Sequence, residues 1–328
     1  MTDIVALCLN PSIDISTSVD HVMPIRKLRC AAARRDPGGG GINVARVVRR
    51  LGMDVTAVYP AGGLTGQLLR RLVDQERVQS LTVNAAEETR EDFTVLEQVT
   101  DTQFRFVLPG SQLAEREWQS CLDLLASFRG RAKFVVASGS LPPGAPENLY
   151  ARIAGMAKDM GAKFILDTSG PPLQAALSEG VYLIKPNLRE LSELGHTPLE
   201  GQWAWVEASR RLVSGGGAEI VALTLGNKGA LLVTPDQIWR AQPLPIKPVS
   251  AVGAGDSFLG GLVWSLASGH GLETAFRYGN AAGSAAILAP GTELCRPDDV
   301  ERLFGQVVIQ ALGQVSEPLR SAQAAPRT

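Results

Sequence analysis

Two glycines stand close ahead of an acidic residue in the stretch Val252-Gly253-Ala254-Gly255-Asp256-Ser257, and Phe258, Leu259, Leu262, Val263 and Leu266 follow at the spacing of a buried helix face. A tight turn opening a helix fits that pattern. The first amides of a helix have no partner within it, and its dipole adds partial positive charge, so an anion such as a phosphate is welcome there. Asp256 in that position could stay ionised and take a proton from an attacking hydroxyl. An acidic first turn that only complements the dipole answers the same residues.

Other motifs could serve the same chemistry. Pro37 is followed by Gly38, Gly39, Gly40 and Gly41, and Ile42-Asn43-Val44-Ala45 then leads into a helix that ends near Leu51-Gly52. Consecutive glycines cost backbone entropy. Close passage of a ligand explains that cost better than a plain turn, with Asn43 placed to cap the helix and to hydrogen-bond a hydroxyl. The spacing matches neither the GxGxxG of dinucleotide sites nor the GxxxxGK[ST] of a P-loop. Asn187 and Glu190, three apart at the start of a short helix, share a face that could hold hydrated Mg²⁺ beside a phosphate, or could form a cap. Gly226-Asn-Lys-Gly229 could pass phosphates or close a hairpin. The small residues from Ala281 to Ala286, Ser284 among them, could admit a flat base or let helices pack tightly.

The elements that must position these groups alternate between strand and helix. Strands are predicted at Ile4 to Leu9, Val55 to Tyr59, Phe134 to Ala137, Phe164 to Asp167, Tyr182 to Ile184 and Ile220 to Leu225; helices at Thr65 to Val73, Glu115 to Phe128, Glu147 to Met160 and Leu272 to Leu288, with a last one opening near Pro297. This order argues a parallel sheet covered on both faces by helices, with the carboxyl ends of the strands on one edge. Ser138-Gly139-Ser140, Asp167, Lys185-Pro-Asn187 and Thr224-Leu-Gly226 all fall at such ends, which places them around one cleft. Asp14, just past the first strand, is a candidate there for binding sugar hydroxyls. Two stretches, about 15–36 and 90–108, lack a core-helix face and read as a small β lid; Phe93, Val95, Phe104 and Phe106 alternate along two of its strands. An open sheet of that kind leaves an apolar face to cover, and dimerisation is the simplest cover.

Bulk properties exclude several classes. With 45% hydrophobic and 20% charged residues the 328-residue chain is globular, and a net charge of −1 supplies no field for nucleic acid or an anionic membrane. The N-terminal fifty residues are locally basic, as a face toward a phosphorylated ligand would be. Cys8, Cys30, Cys121 and Cys295 have no metal-ligand spacing and read as reduced thiols of a cytoplasmic protein. No run approaches the length of a membrane span. The tail at 316–328 has the composition of a disordered segment, leaving 1–315 as one domain with the lid pieces inserted.

Taken together, Gly38-Gly-Gly-Gly-Ile-Asn-Val-Ala, Lys185-Pro-Asn-x-x-Glu190 and Val252-Gly-Ala-Gly-Asp-Ser resemble the ribokinase-like (PfkB-type) carbohydrate kinases over nearly the whole chain. Leu9-Asn-Pro-Ser-Ile-Asp14, Lys27-Leu-Arg-Cys30, Arg105-Phe-Val-Leu-Pro-Gly110 and Ser138-Gly-Ser-Leu-Pro-Pro-Gly144 are similar to the branch that phosphorylates fructose 6-phosphate with ATP. The resemblance implies a three-layer α/β fold, mostly parallel, with a β lid completed in a homodimer. It implies Asp256 as base, with the amides of Gly253, Ala254 and Gly255 as anion hole. Sugar-phosphate contacts are implied for Asp14, Lys27, Arg29 of a second subunit, Gly39, Gly40, Asn43, Arg90, Arg105 and Ser140. The nucleotide site would comprise Lys185, Asn187, Thr224, Gly226, Gly229 and Ser284, with Glu190 positioning Mg²⁺ through water. K⁺ is implied near Ser250, Val252, Ala286 and Gly291, although Ser250-Ala251 replaces the Asp-Thr of many members, and Ala289 and Glu293 also depart from the pattern. Kinases of fructose 1-phosphate or tagatose 6-phosphate share these motifs. A non-catalytic sugar-phosphate sensor would have no need of Asp256 and Glu190.

Overall fold

The computed structural model describes residues 3–314, so the tail expected to be disordered lies outside the described residues. The strands are β1 (Ile4–Leu7), β2 (Ser12–Val19), β3 (Arg34–Gly38), β4 (Thr56–Gly62), β5 (Gln79–Ala85), β6 (Arg90–Glu97), β7 (Thr102–Phe106), β8 (Phe134–Ser138), β9 (Lys163–Asp167), β10 (Val181–Ile184), β11 (Ala218–Thr224), β12 (Ala230–Val233), β13 (Gln237–Ala241) and β14 (Ile309–Gln314). The helices are α1 (Gly40–Arg50), α2 (Gly63–Gln75), α3 (Glu115–Ala126), α4 (Leu149–Asp159), α5 (Pro171–Glu179), α6 (Leu188–Gly195), α7 (Gly201–Ser214), α8 (Ala254–Ala267), α9 (Leu272–Ala286) and α10 (Pro297–Phe304).

Ten strands form one sheet in the order β14-β13-β12-β11-β10-β9-β8-β1-β4-β5. From β5 to β11 every neighbouring pair is parallel; β11 through β14 pair antiparallel. The period of two along a strand divides the core. Ile4, Ala6, Val136, Ile165 and Leu183 face one hydrophobic cluster with α1, α8 and α9, while Val5, Leu7, Val135, Leu166 and Ile184 face another with α3, α4 and α7. Three layers result, as the alternation of elements required. The sequence reading missed β5, β13, β14, α5 and α7. β5 and β14 are sheet edges, β5 alternates exposed and half-buried residues, and β13 carries Gln237 and Arg240 among five residues, so none has the continuous apolar run of a central strand.

The smaller sheet runs β3-β2-β6-β7, with β2 and β6 parallel and the outer pairs antiparallel. Phe93 lies opposite Phe106 and Val95 opposite Phe104, as the alternation predicted. Two boundaries need correction. The first lid piece begins at Ser12 rather than 15, and residues 20–33 hold no strand. Asp14 is therefore a strand residue, opposite Asp36 on β3 and Asp92 on β6, because the chain passes from Asn10-Pro11 directly into β2 without a loop.

Candidate active site

The carboxyl ends of β8 to β11 bring the polar groups to one edge. Ser138 ends β8 in register with Asp167 at the end of β9; Lys185 follows β10; Asn187 bridges Thr224 at the end of β11. α8 points its N-terminus at the same edge. Its N-cap, Gly253, has φ 76°, a left-handed conformation that a side chain would strain, and a Cβ there would also overlap Leu294. Asp256 lies in the first turn. It lines a cavity of about 220 Å³ with Gly40, Ser138, Gly139, Ser140, Asp167, Thr168 and Ser169.

Charge is concentrated around a buried cation. The Lys185 ammonium, 5% exposed with its residue, pairs with Asp167 at 3.1 Å. Burial works against its charge, but Asp167, Glu190 and Asp256 outweigh that and hold its pKa above the usual lysine range. Asp256 shows the opposite balance: burial, then the Asp167 charge, push its carboxyl up to about 6, against a hydrogen bond from Asn43 and the Lys185 charge. Asn43 Nδ2 donates to Asp256 Oδ2 at 2.9 Å. Burial first, and Asp167 with it, also raise Glu190. An acid poised near neutrality beside a fixed cation and a helix N-terminus can exchange a proton with a hydroxyl while an anion is held alongside.

Several expected residues take structural roles as well. Asn43 is not a cap: α1 starts at Gly40, and the Asn43 amide already donates to the Gly39 carbonyl at 2.9 Å, so its side chain is free to reach Asp256. Asn187 and Glu190 form a reciprocal cap, Asn187 Oδ1 accepting from the Glu190 amide at 3.0 Å and Glu190 Oε2 from the Asn187 amide at 2.8 Å. A Cβ at Gly229 would overlap the Ala241 carbonyl, and the Leu225 amide bonds the Gly229 carbonyl, so this turn closes the β11–β12 hairpin. The small residues of α9 let α8 approach closely, Gly279 and Gly283 lying against Phe258. The four glycines at 38–41 also differ from expectation, since their neighbours are protein atoms: a Cβ would overlap Asp14 at Gly38, Cys8 at Gly39, Ser138 at Gly40 and the Leu7 carbonyl at Gly41.

The sugar-phosphate candidates divide. Ser140, on the cavity wall, accepts from Asn10 Nδ2 at 3.1 Å. Arg90 pairs with Asp92 at 3.0 Å and bonds the Asn10 and Leu108 carbonyls, while its buried Nε has no hydrogen-bond partner among the described residues. Asp14 accepts from Ser12 Oγ at 2.7 Å, and burial raises its pKa. Among the described residues Lys27 and Arg29 stand exposed on the 20–33 connection without a hydrogen bond or ion pair, and Arg105 is exposed on β7, so the single chain does not bring these three into the cavity. At the proposed K⁺ position, Ser250 Oγ donates to the Gly291 carbonyl at 2.9 Å and accepts from the Val252 amide and Gln103 Nε2; Ala286 ends α9 just before Ile287, whose carbonyl accepts from the Ser250 amide. Asp167 was visible only as a strand end, because nothing local signals that the next strand supplies a lysine to it.

A glycine-opened helix facing an acid and a buried lysine at the carboxyl edge of a mostly parallel sheet defines an α/β protein that handles anions and protons. The profile of the pfkB family carbohydrate kinases matches residues 5–299, and the chain belongs to that family. It is 47% identical over 301 residues to ATP-dependent 6-phosphofructokinase isozyme 2 of Mycobacterium tuberculosis, covering 92% of this chain and 88% of the relative. To the isozyme 2 of Escherichia coli it is 40% identical over 305 residues, covering 93% and 98%. The crystal structure of phosphofructokinase-2 from E. coli in complex with fructose-6-phosphate superposes with TM-score 0.88 at 39% identity, covering 93% of this chain and 99% of that one. All four thiols are free, three of them buried, and no described helix is long and apolar enough to cross a membrane.

Proposed function

We propose that this chain transfers the γ-phosphoryl group of ATP to the primary hydroxyl of fructose 6-phosphate, giving fructose 1,6-bisphosphate and ADP. The observation that carries the proposal is Asp256, a carboxyl pushed up to about 6 at the head of α8, with one oxygen held by Asn43 and the Lys185 ammonium close by. On this reading Asp256 takes the hydroxyl proton as the oxygen attacks γ-phosphorus and ADP leaves. The amides of Gly253, Ala254 and Gly255 then receive the charge on the transferring group. Asp14, Gly39, Gly40 and Asn43 orient the sugar, and Ser140 and Arg90 meet its phosphate, with Arg105, exposed on β7, joining them only in a dimer of this chain. Lys185, Asn187, Thr224, Gly226, Gly229 and Ser284 line the nucleotide side.

Mg²⁺ fits the donor set. Asp167 and Glu190 both lie around Lys185, and hard carboxylate oxygens in that number suit an ion that keeps several waters and takes the rest of its shell from phosphates. Among the described residues no group of three or more His, Cys, Asp or Glu forms a dedicated cage, as such an ion requires none. When bound it would neutralise β- and γ-phosphate charge. Support for K⁺ comes from the carbonyls gathered around Ser250; that hydroxyl already has three partners, so backbone oxygens near Gly291 and Ala286 would hold the ion. E. coli phosphofructokinase-2 has a structure in complex with potassium.

A second copy of this chain would cover the small sheet, where Phe93, Phe106, Val107 and Leu108 are exposed, and would bring Lys27 and Arg29 a place beside the sugar phosphate. The deciding experiment measures kcat/KM with MgATP across fructose 6-phosphate, fructose 1-phosphate and tagatose 6-phosphate. Fructose 6-phosphate is expected to lead by at least about tenfold, the size of one well-placed contact; a lead for either rival reassigns the substrate, and no turnover of any leaves the sensor reading.

A further inference from the structure

Arg46 is fully buried on α1 and makes contacts on two sides. One side belongs to the scaffold: Nε and Nη2 donate to Glu76 Oε1 at 3.1 and 2.8 Å, and Nη1 donates to the Pro37 carbonyl at 2.9 Å. Asp36 lies 3.6 Å away, and Glu76 is shared with Arg50. The other side faces the site, where Nη1 also donates to Asn43 Oδ1 at 3.0 Å. The two ends of the Asn43 amide thus meet unlike partners, a guanidinium at Oδ1 and the Asp256 carboxylate at Nδ2.

A guanidinium has donors only, so the amide atom that meets it must be the oxygen. With the oxygen fixed, the NH₂ is left pointing at Asp256 Oδ2. Rotated by half a turn, the amide would face the carboxylate with its own lone pairs and face Arg46 with its donors, losing both bonds. We propose that Arg46 is a positioning residue for phosphoryl transfer: it sets the orientation of the Asn43 amide, which in turn holds Asp256 Oδ2 and leaves Oδ1 to receive the substrate hydroxyl proton. Arg46 is fully buried and does not line the cavity, and its buried pairing with Glu76 and Asp36 keeps the guanidinium from following solvent. The inference rests on the kinase reading above.

Active wild-type enzyme is the precondition, and its absence counts against the kinase reading alone. Given activity, Arg46→Lys keeps the charge but removes the second-sided donor. It is expected to lower kcat about 10- to 100-fold, with the KM for each substrate changed less than about threefold. The acid limb of kcat/KM should move to higher pH, because Asp256, faced by Asp167 from β9, Lys185 after β10 and Asp14 from β2, then loses the Asn43 donor that favours its charged form. Glu76→Gln loosens the same cluster without touching Asn43 and is expected to leave kcat within about threefold. Equal losses in the two variants, or an unmoved acid limb, overturn the proposal. Should Arg46→Lys fail to fold, Asn43→Asp decides, since its carboxylate satisfies Arg46 but offers Asp256 no donor. A kcat loss of about 100-fold with a raised acid limb supports the assignment, and wild-type kcat overturns it.

Discussion

The turns that open α1 and α8 look alike as sequence, both glycine-rich, both leading into an apolar helix, yet Gly41 of the first and Gly255 of the second meet opposite surroundings. At Gly38 to Gly41 the backbone is pressed against Asp14, Cys8, Ser138 and the Leu7 carbonyl, so the absent side chains make room for the protein itself. At Gly255 the nearest atom to a would-be Cβ is Lys185 Nζ at 3.4 Å, an ordinary contact at the flexible end of a side chain. Gly41, like Gly253 with its left-handed φ and Leu294 beside it, is glycine because the fold needs it; Gly255 has room for a Cβ, and there a bound group would set the requirement. Asn43 joins the two turns, anchored in the first helix and bonded to the acid of the second.

The contrast can be broken or sharpened by substitution. Asp256→Asn removes the base from the second turn, and turnover with MgATP and fructose 6-phosphate should fall by about 10²- to 10⁴-fold with substrate affinities little changed; unchanged turnover would dismiss the base. Gly41→Ala forces a Cβ onto the Leu7 carbonyl, and a loss of several kcal/mol, roughly 3 or more, should show as poor soluble yield or a collapsed denaturant midpoint. Gly255→Ala should instead leave the midpoint within about 0.5 kcal/mol or improve it, since Ala favours a helix, while reducing turnover about tenfold by crowding the phosphates. If the two glycine variants behave alike in both measurements, the contrast fails.

Acidity tests the same turn more gently. Asp256 must be ionised to act, so kcat/KM should fall about tenfold per pH unit below about 6 and level above it. The sign for stability is the reverse. A carboxyl raised from 3.8 to about 6 on folding binds protons more tightly in the native state, so its contribution is unfavourable above about 6 and the penalty disappears below the unfolded value. Asp256→Asn should therefore raise Tm at pH 7.5 by roughly 3–8 °C, and calorimetry near pH 4 should find most of that gain gone.

Much of the plan was legible because it depends on local pattern. Apolar runs broken by turns marked the central strands, and the alternation of strand and helix implied a shared carboxyl edge, which is where Ser138, Asp167, Lys185 and Thr224 meet. Phe93 and Phe104 announced their partners by period two alone. Edge strands β5 and β14 stayed silent because about half their residues face outward and polar or small residues interrupt their apolar ones.

By itself the sequence determined the layered fold, the family and the cluster of polar groups at one edge, since periodicity, turn residues and motif spacing are properties of neighbours along the chain. Tertiary structure decided which of two readings each motif takes. Asn187 and Glu190 cap a helix at that edge, Asn43 holds Asp256 rather than capping, and the first glycine run packs against Ser12, Asp14, Cys8, Leu7 and Ser138. It also decided the charge state of the site: burial and the approach of Asp167 to Asp256 and Lys185 set their proton affinities, and both depend on distances between residues about 90 or fewer positions apart in sequence that only packing brings together.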